Sequence, residues 1–162
     1  MELTFRPMAT AEDAAAFRSL NEEWIRLHFT LEDEDRRQLE DPFTSIVAPG
    51  GEVLLAELDG EVVGCVALRP EGDGVYELSK MTVAPAHRGA GLGRQILLAA
   101  IERARERGAA TLFLGSSTKL APAVHLYESV GFEHVAPESI HMPYARADVF
   151  MTMALAQPAA SR

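Results

Sequence analysis

Apolar and polar positions along the 162 residues follow two alternating rhythms. "ELTFRPM" alternates with a period of two and predicts a first strand. In "TAEDAAAFRSLNEEWIRLHF" the apolar Phe17, Leu20, Trp24, Leu27 and Phe29 recur at helical spacing, with Thr10 at the N-cap position and Asp13 three residues on. A short acidic helix, Glu32 to Glu40, ends before Pro42, and Pro49-Gly50-Gly51 breaks the chain. "EVLLAEL" and "EVVGCVALR" flank an Asp-Gly pair, the signature of a hairpin. "GDG" supplies a second turn into "VYELSKMTV", a strand halted at Pro85. Strict alternation on it would put Glu77, Ser79 and Met81 on one face, and Tyr76, Leu78 and Lys80 on the other.

Ile96, Leu97, Ala100, Ile101 and Ala104 then predict a helix from about Leu92 to Arg107, stopped by Gly108. "TLFLGS" reads as a strand, "APAVHLYESV" as a helix, and "GFEHV" and "DVFMTMAL" as closing strands. This order describes an α/β (α+β) domain, one mixed sheet with helices on both faces. It is expected to span residues 1–156, with 157–162 as a flexible tail.

Composition narrows the class without changing the fold. An apolar fraction of 48% with 24% charged residues is that of an ordinary globular chain. No apolar run is long enough to span a bilayer, and no signal peptide is evident, so neither a membrane nor an export route is expected. The single cysteine, Cys65, lies in an apolar run and is expected to be a small buried hydrophobe in a reducing cytoplasm. A net charge of −9 argues against nucleic acid as partner. The acidic excess lies before residue 80 and the remainder is faintly basic, which fits either two ligands of opposite charge or solubility alone. His28, His87, His125, His134 and His141 have no metal-ligand spacing, so no metal is expected.

One stretch resists a purely structural explanation. "AHRGAGLGRQ" places Gly89, Gly91 and Gly93 in front of a well-patterned helix. A helix N-terminus offers unpaired N–H groups and a positive dipole end, and residues lacking Cβ atoms let an anion reach them. His87, Arg88 and Arg94 flank it. The ligand expected is a phosphate or pyrophosphate. The spacing fits neither the nucleotide-triphosphate loop, because Arg94-Gln95 stands where Lys-Ser/Thr is needed, nor the dinucleotide fingerprint, whose third glycine would fall on Ile96.

What remains is R-x-x-G-x-G, at Arg88, Gly91 and Gly93. With "ELSKMTVAPAHR" before it and "LYESVGF" after it, the chain resembles the GNAT superfamily of N-acetyltransferases over nearly its whole length. The resemblance implies a mostly antiparallel sheet of six to seven strands and acetyl-CoA as cosubstrate. It implies that Arg88, Gly89, Ala90, Gly91, Leu92, Gly93 and Arg94 hold the pyrophosphate, and that the strand at Met81, Thr82 and Val83 bonds the pantetheine arm. That strand would splay from the one at Leu112 to Gly115. Many relatives carry an Asn before the "LY" helix; Leu120 stands here, and Ser116, Ser117 or Lys119 are the available substitutes.

The same resemblance implies roles in catalysis. Tyr127 would protonate the departing thiolate, and Glu77 would serve as base or substrate anchor, with a cross-strand ion pair as its alternative. Acceptor contacts are expected from Trp24, His28, Phe29, His141 and Tyr144. No residue looks like a covalent acyl carrier, so transfer to a small amine would be direct. Acetylation of a protein or peptide, and a non-catalytic acyl-CoA sensor, are the other readings. A homodimer is compatible with all of them.

Overall fold

The computed structural model describes residues 2–140 and 142–155. Strand β1 (Leu3–Pro7) leads into helix α1 (Ala11–His28) and helix α2 (Asp33–Glu40). A π-type turn (Phe43–Val47) follows, then β2 (Glu52–Leu58), β3 (Glu61–Gly72) and β4 (Val75–Val83). Helix α3 (Leu92–Glu106), β5 (Thr111–Ser116), helix α4 (Ala121–Val130), β6 (Glu133–His134) and β7 (Val149–Ala154) complete the chain. The expected tail at 157–162 lies outside the described residues.

Local chemistry explains most of these boundaries. The Thr10 side chain accepts from the Asp13 amide and the Asp13 carboxylate caps the Thr10 amide, closing the predicted capping box of α1. Both Asp-Gly turns place their aspartate and glycine at positive φ: Asp59 and Gly60, then Asp73 and Gly74. This geometry matches the twist of the strands they join. β3 runs three residues past its expected end, through Pro70, because its pairing with β4 continues where β2 has stopped. β6 shrinks to two residues, leaving a long connection to β7.

Seven strands form one sheet in the order β1-β2-β3-β4-β5-β7-β6, antiparallel except where β4 meets β5. One face packs Leu54, Val66, Leu68 and Leu78 against Ile96, Leu97 and Ala100 of α3, with Leu126 and Val130 of α4 at the margin. The other packs Val53, Leu55, Cys65 and Ala67 against Phe17 and Ile25 of α1 and Leu39 of α2. Each such fully buried aliphatic side chain contributes about 1.5–3 kcal/mol. Cys65 is a buried thiol, pushed up to about 12 by burial, and packs as the small hydrophobe expected.

Candidate active site

The site begins at a defect in β4. Lys80 has φ +54°, a left-handed conformation that is costly for a side chain with Cβ, and the register against β3 slips there: Ala67 faces Ser79 while Cys65 faces Thr82. The bulge overturns the simple alternation expected of this strand. Glu77, Ser79, Lys80 and Thr82 all present to the α1–α2 side, whereas Met81 and Val83 pack with the α3 cluster. On its other edge β4 pairs with β5 only from Val75 to Glu77, against Thr111 to Phe113. Beyond Glu77 the two parallel strands diverge, as the resemblance implied. The β4 backbone is left open along one side of a cleft.

The cleft has two chambers that share Trp24, Met81, Leu120 and Tyr127. The larger, about 330 Å³, is bounded by Thr82, Val83, Arg88, the three glycines and Ala123 of α4. Gly89 and Gly91 sit at φ +84° and +81°, and a Cβ on either would meet nothing within 4 Å. Glycine is thus required by the backbone conformation, and the space over the loop stays clear. Gly91 is the N-cap of α3 and offers no side-chain oxygen, so the first amides of that helix face the cleft without a cap. Arg88 is fixed by three contacts: Nε donates to the Val83 carbonyl at 2.9 Å, a terminal nitrogen reaches Glu23 at 2.5 Å, and the guanidinium lies 4.9 Å from the Trp24 ring centre.

The smaller chamber, about 120 Å³, lies on the α1–α2 side and is walled in part by Met142, Tyr144 and Arg146 of the β6–β7 connection. Met142 seats directly on Gly115, where a side chain would collide with it. Behind the wall sits Asp35, with no exposed side-chain surface. Arg146 grips Asp35 with two nitrogens at 2.7 Å, and Lys80 Nζ donates to it at 2.8 Å. Burial pushes the Asp35 carboxyl upward, but the Arg146 hydrogen bond and the Lys80 charge outweigh it and hold it at about 2. The Tyr144 hydroxyl oxygen accepts from Lys80 Nζ at 3.0 Å and from Gln38 Nε2 at 3.1 Å.

Two of the expected catalytic groups meet at this cleft. The Tyr127 hydroxyl has no hydrogen-bond partner among the described residues, and burial pushes it up to about 12. Its ring makes an edge contact with Phe132 at 6.0 Å. Glu77 lines the smaller chamber and also forms the cross-strand pair with Arg69, whose nitrogen reaches one carboxylate oxygen at 3.1 Å. Burial raises its carboxyl above the ordinary range, with Arg69 and Lys80 opposing. The second oxygen of Glu77 has no partner among the described residues.

The remaining expectations divide. Trp24, Phe29 and Tyr144 line the smaller chamber. His28 does not; it is the last residue of α1, is exposed and packs on Trp24 at 4.2 Å. His141 lies outside the described residues. Ser116 lines the smaller chamber instead of the glycine-loop side, and the Lys119 ammonium sits 5.5 Å from the Phe29 ring centre. Ser117 is spent on capping the Lys119 amide. Arg94 turns away to bond Ser129, and Ala90 lies off the cleft wall. Sequence reasoning missed Asp35, Lys80 and Arg146. A lysine inside an otherwise buried strand was the available signal for Lys80; Asp35 was hidden in the charge run "EDEDRR".

A mixed sheet whose parallel pair splays beside a glycine loop at a helix N-terminus is the arrangement that the resemblance implied. The acetyltransferase (GNAT) family profile matches residues 14–132, and the chain belongs to that family. Over 91 residues it is 42% identical to YjgM of Escherichia coli (strain K12), named an uncharacterized N-acetyltransferase, covering 54% of each protein. It is 31% identical over 144 residues to the mycothiol acetyltransferase of Thermomonospora curvata, covering 86% of this chain and 47% of that one. The chain thus spans about half the length of these two relatives. Among solved structures, yncA of Salmonella typhimurium, described with its cofactor acetyl-CoA, superposes with a TM-score of 0.74 at 28% identity, covering 100% of this chain and 99% of that one.

Proposed function

We propose that this protein is an acetyl-CoA-dependent N-acetyltransferase that moves an acetyl group directly onto the amine of a small molecule. The carrying observation is the divergence of β4 and β5 after Glu77, which opens a cleft from the glycine loop to Tyr127 and on to Glu77. The fit to acetyl-CoA rests on the glycine loop: two positive-φ glycines with clear space above them and uncapped α3 amides suit a pyrophosphate. The open β4 edge at Met81 and Val83 suits an amide-bearing arm.

Bound acetyl-CoA supplies an activated acetyl group; positioning and proton handling fall to the chain. Met81, Tyr127 and Leu120 line both chambers and so fix where the two substrates meet. Holding them in line can supply roughly 7–11 kcal/mol of the barrier. Glu77 takes the proton from the acceptor ammonium, directly or through a water, on the carboxylate oxygen that Arg69 leaves free. Its upward shift brings its basicity closer to that of an amine. The Tyr127 hydroxyl, kept protonated by burial, gives its proton to the departing sulfur.

The smaller chamber, about 120 Å³, favours a compact amine over a peptide segment. A buried free thiol, with no helix among the described residues long and apolar enough to cross a membrane, supports a cytoplasmic setting. The test is free-thiol release from acetyl-CoA across an amine panel, beside calorimetry with acetyl-CoA. Turnover of at least one small amine is expected. Binding without turnover of any amine would favour the sensor reading, and turnover only of peptides would favour a protein acetyltransferase.

A further inference from the structure

Resting on that reading, the walls of the smaller chamber narrow the acceptor class. Among the described residues, the charged side chains lining it are Glu77, Lys80 and Arg146: one carboxylate at the β4–β5 fork and two cations beneath the β6–β7 connection. The acids that neutralise the cations, Asp35 and Glu32, lie behind them and do not line the chamber.

Counting donors shows what the cations still lack. Burial lowers Lys80 below its usual range while Asp35 at 2.8 Å opposes; as an ammonium paired with that carboxylate it carries three hydrogens, of which Asp35 and Tyr144 take two. Arg146 has five N–H hydrogens; Glu32 takes one and Asp35 two, leaving Nε–H and one terminal N–H. The Tyr144 oxygen cannot face its neighbours as a donor. An ammonium has no lone pair to receive its hydrogen. Gln38 turns its NH₂ group toward Tyr144, an orientation fixed by its other bond to Glu34 at 2.7 Å. The Tyr144 hydroxyl hydrogen therefore points at neither.

Lys80, Tyr144 and Arg146 thus each hold at least one donor without an acceptor among the described residues, on one wall of one chamber. Such a set is costly when buried without a partner. It is the complement of a planar anion, which arginine and its neighbours bind through several hydrogen bonds at once. The strained Lys80 backbone turns its ammonium to this wall instead of toward α3. Glu77, at the fork, offers an acceptor for a cation.

We infer that the acceptor is an amino carboxylic acid, bound with its carboxylate on Lys80, Tyr144 and Arg146 and its amine toward Glu77 and Tyr127. A polyamine would set a second ammonium against this wall and is excluded by it.

The experiment compares matched pairs in the thiol-release assay: amino acids, the amines left when their carboxylate is removed, their primary amides, and polyamines. Wild type is expected to favour at least one amino acid over its carboxylate-free partner by about 100-fold or more in kcat/KM, because a site built to bond a polar group rejects a substrate lacking it. Tyr144→Phe should cut that ratio about tenfold, mainly through the amino acid KM, with acetyl-CoA affinity held; the melting temperature should fall, because the buried Lys80 and Gln38 donors lose a shared acceptor. Arg146→Lys, which keeps the charge but loses the planar fork, should also reduce it. Equal or better turnover of the carboxylate-free amines or polyamines overturns the inference while leaving the acetyltransferase reading intact. So does silence from every amino acid in a protein that binds acetyl-CoA. Failure to bind acetyl-CoA at all removes both.

Discussion

Tyr127 and Glu77 each do at this site what their surroundings force on them. The Tyr127 side chain is half-buried in the cleft and its hydroxyl gains no partner among the described residues, so it is pushed up to about 12 and carries its proton at neutral pH. Tyr127→Phe should slow acetyl transfer by a factor on the order of 10–1000 while calorimetry shows acetyl-CoA binding little changed. Glu77 is raised because burial outweighs Arg69. As a base it must be ionised, so kcat/KM should fall as pH drops through a value above the ordinary carboxylate pKa of about 4.3. Glu77→Gln should lower the rate and abolish that acid limb; an unaltered limb would clear Glu77 as the base. Tyr127 was legible from its place in "HLYESVGF". Lys80 and Arg146 were not, since their meaning depends on Asp35, 45 and 111 residues away.

At the scale of elements, the periodicities carried far. β4, β5 and α4 begin and end where the patterns and turn residues put them. The failures are informative. Alternation on β4 breaks at Lys80 because a bulge adds one unpaired residue, and no local signal marks a bulge made by lysine instead of glycine. The glycine loop ends where the helical pattern put it, with α3 starting from a left-handed Gly91. Gly91→Ala should cost roughly 1 kcal/mol in backbone strain. Its larger effect should be on acetyl-CoA, whose affinity is expected to fall about tenfold or more as a methyl enters the space over the helix amides. Chemical denaturation and calorimetry on the same variant separate the two losses.

For the whole molecule, the Asp35 cluster ties α2 to β4 and to the β6–β7 connection beside the smaller chamber. Because Asp35 is held at about 2, below its unfolded value near 3.9, the unfolded chain binds more protons between those limits. Its contribution is full above about pH 4 and lost as pH falls toward 2. Asp35→Asn should therefore flatten the acid dependence of stability in that window. It should also cost about 3–5 kcal/mol at neutral pH, because the buried Lys80 loses its counter-charge and the half-buried Arg146 keeps only Glu32. Urea titrations at pH 5 and pH 3 check both.

The chain's own pattern determined the order of strands and helices, the loop before α3, and the candidacy of Tyr127 and Glu77. Those features follow from periodicity, capping and turn chemistry, which act over a few residues. The divergence of β4 from β5, the bulge that turns Lys80 toward α2, and the meeting of Asp35, Tyr144 and Arg146 were decided only on folding. Each is a contact between segments far apart in sequence, set by how sheet and helices pack, and local patterning carries no record of such distances.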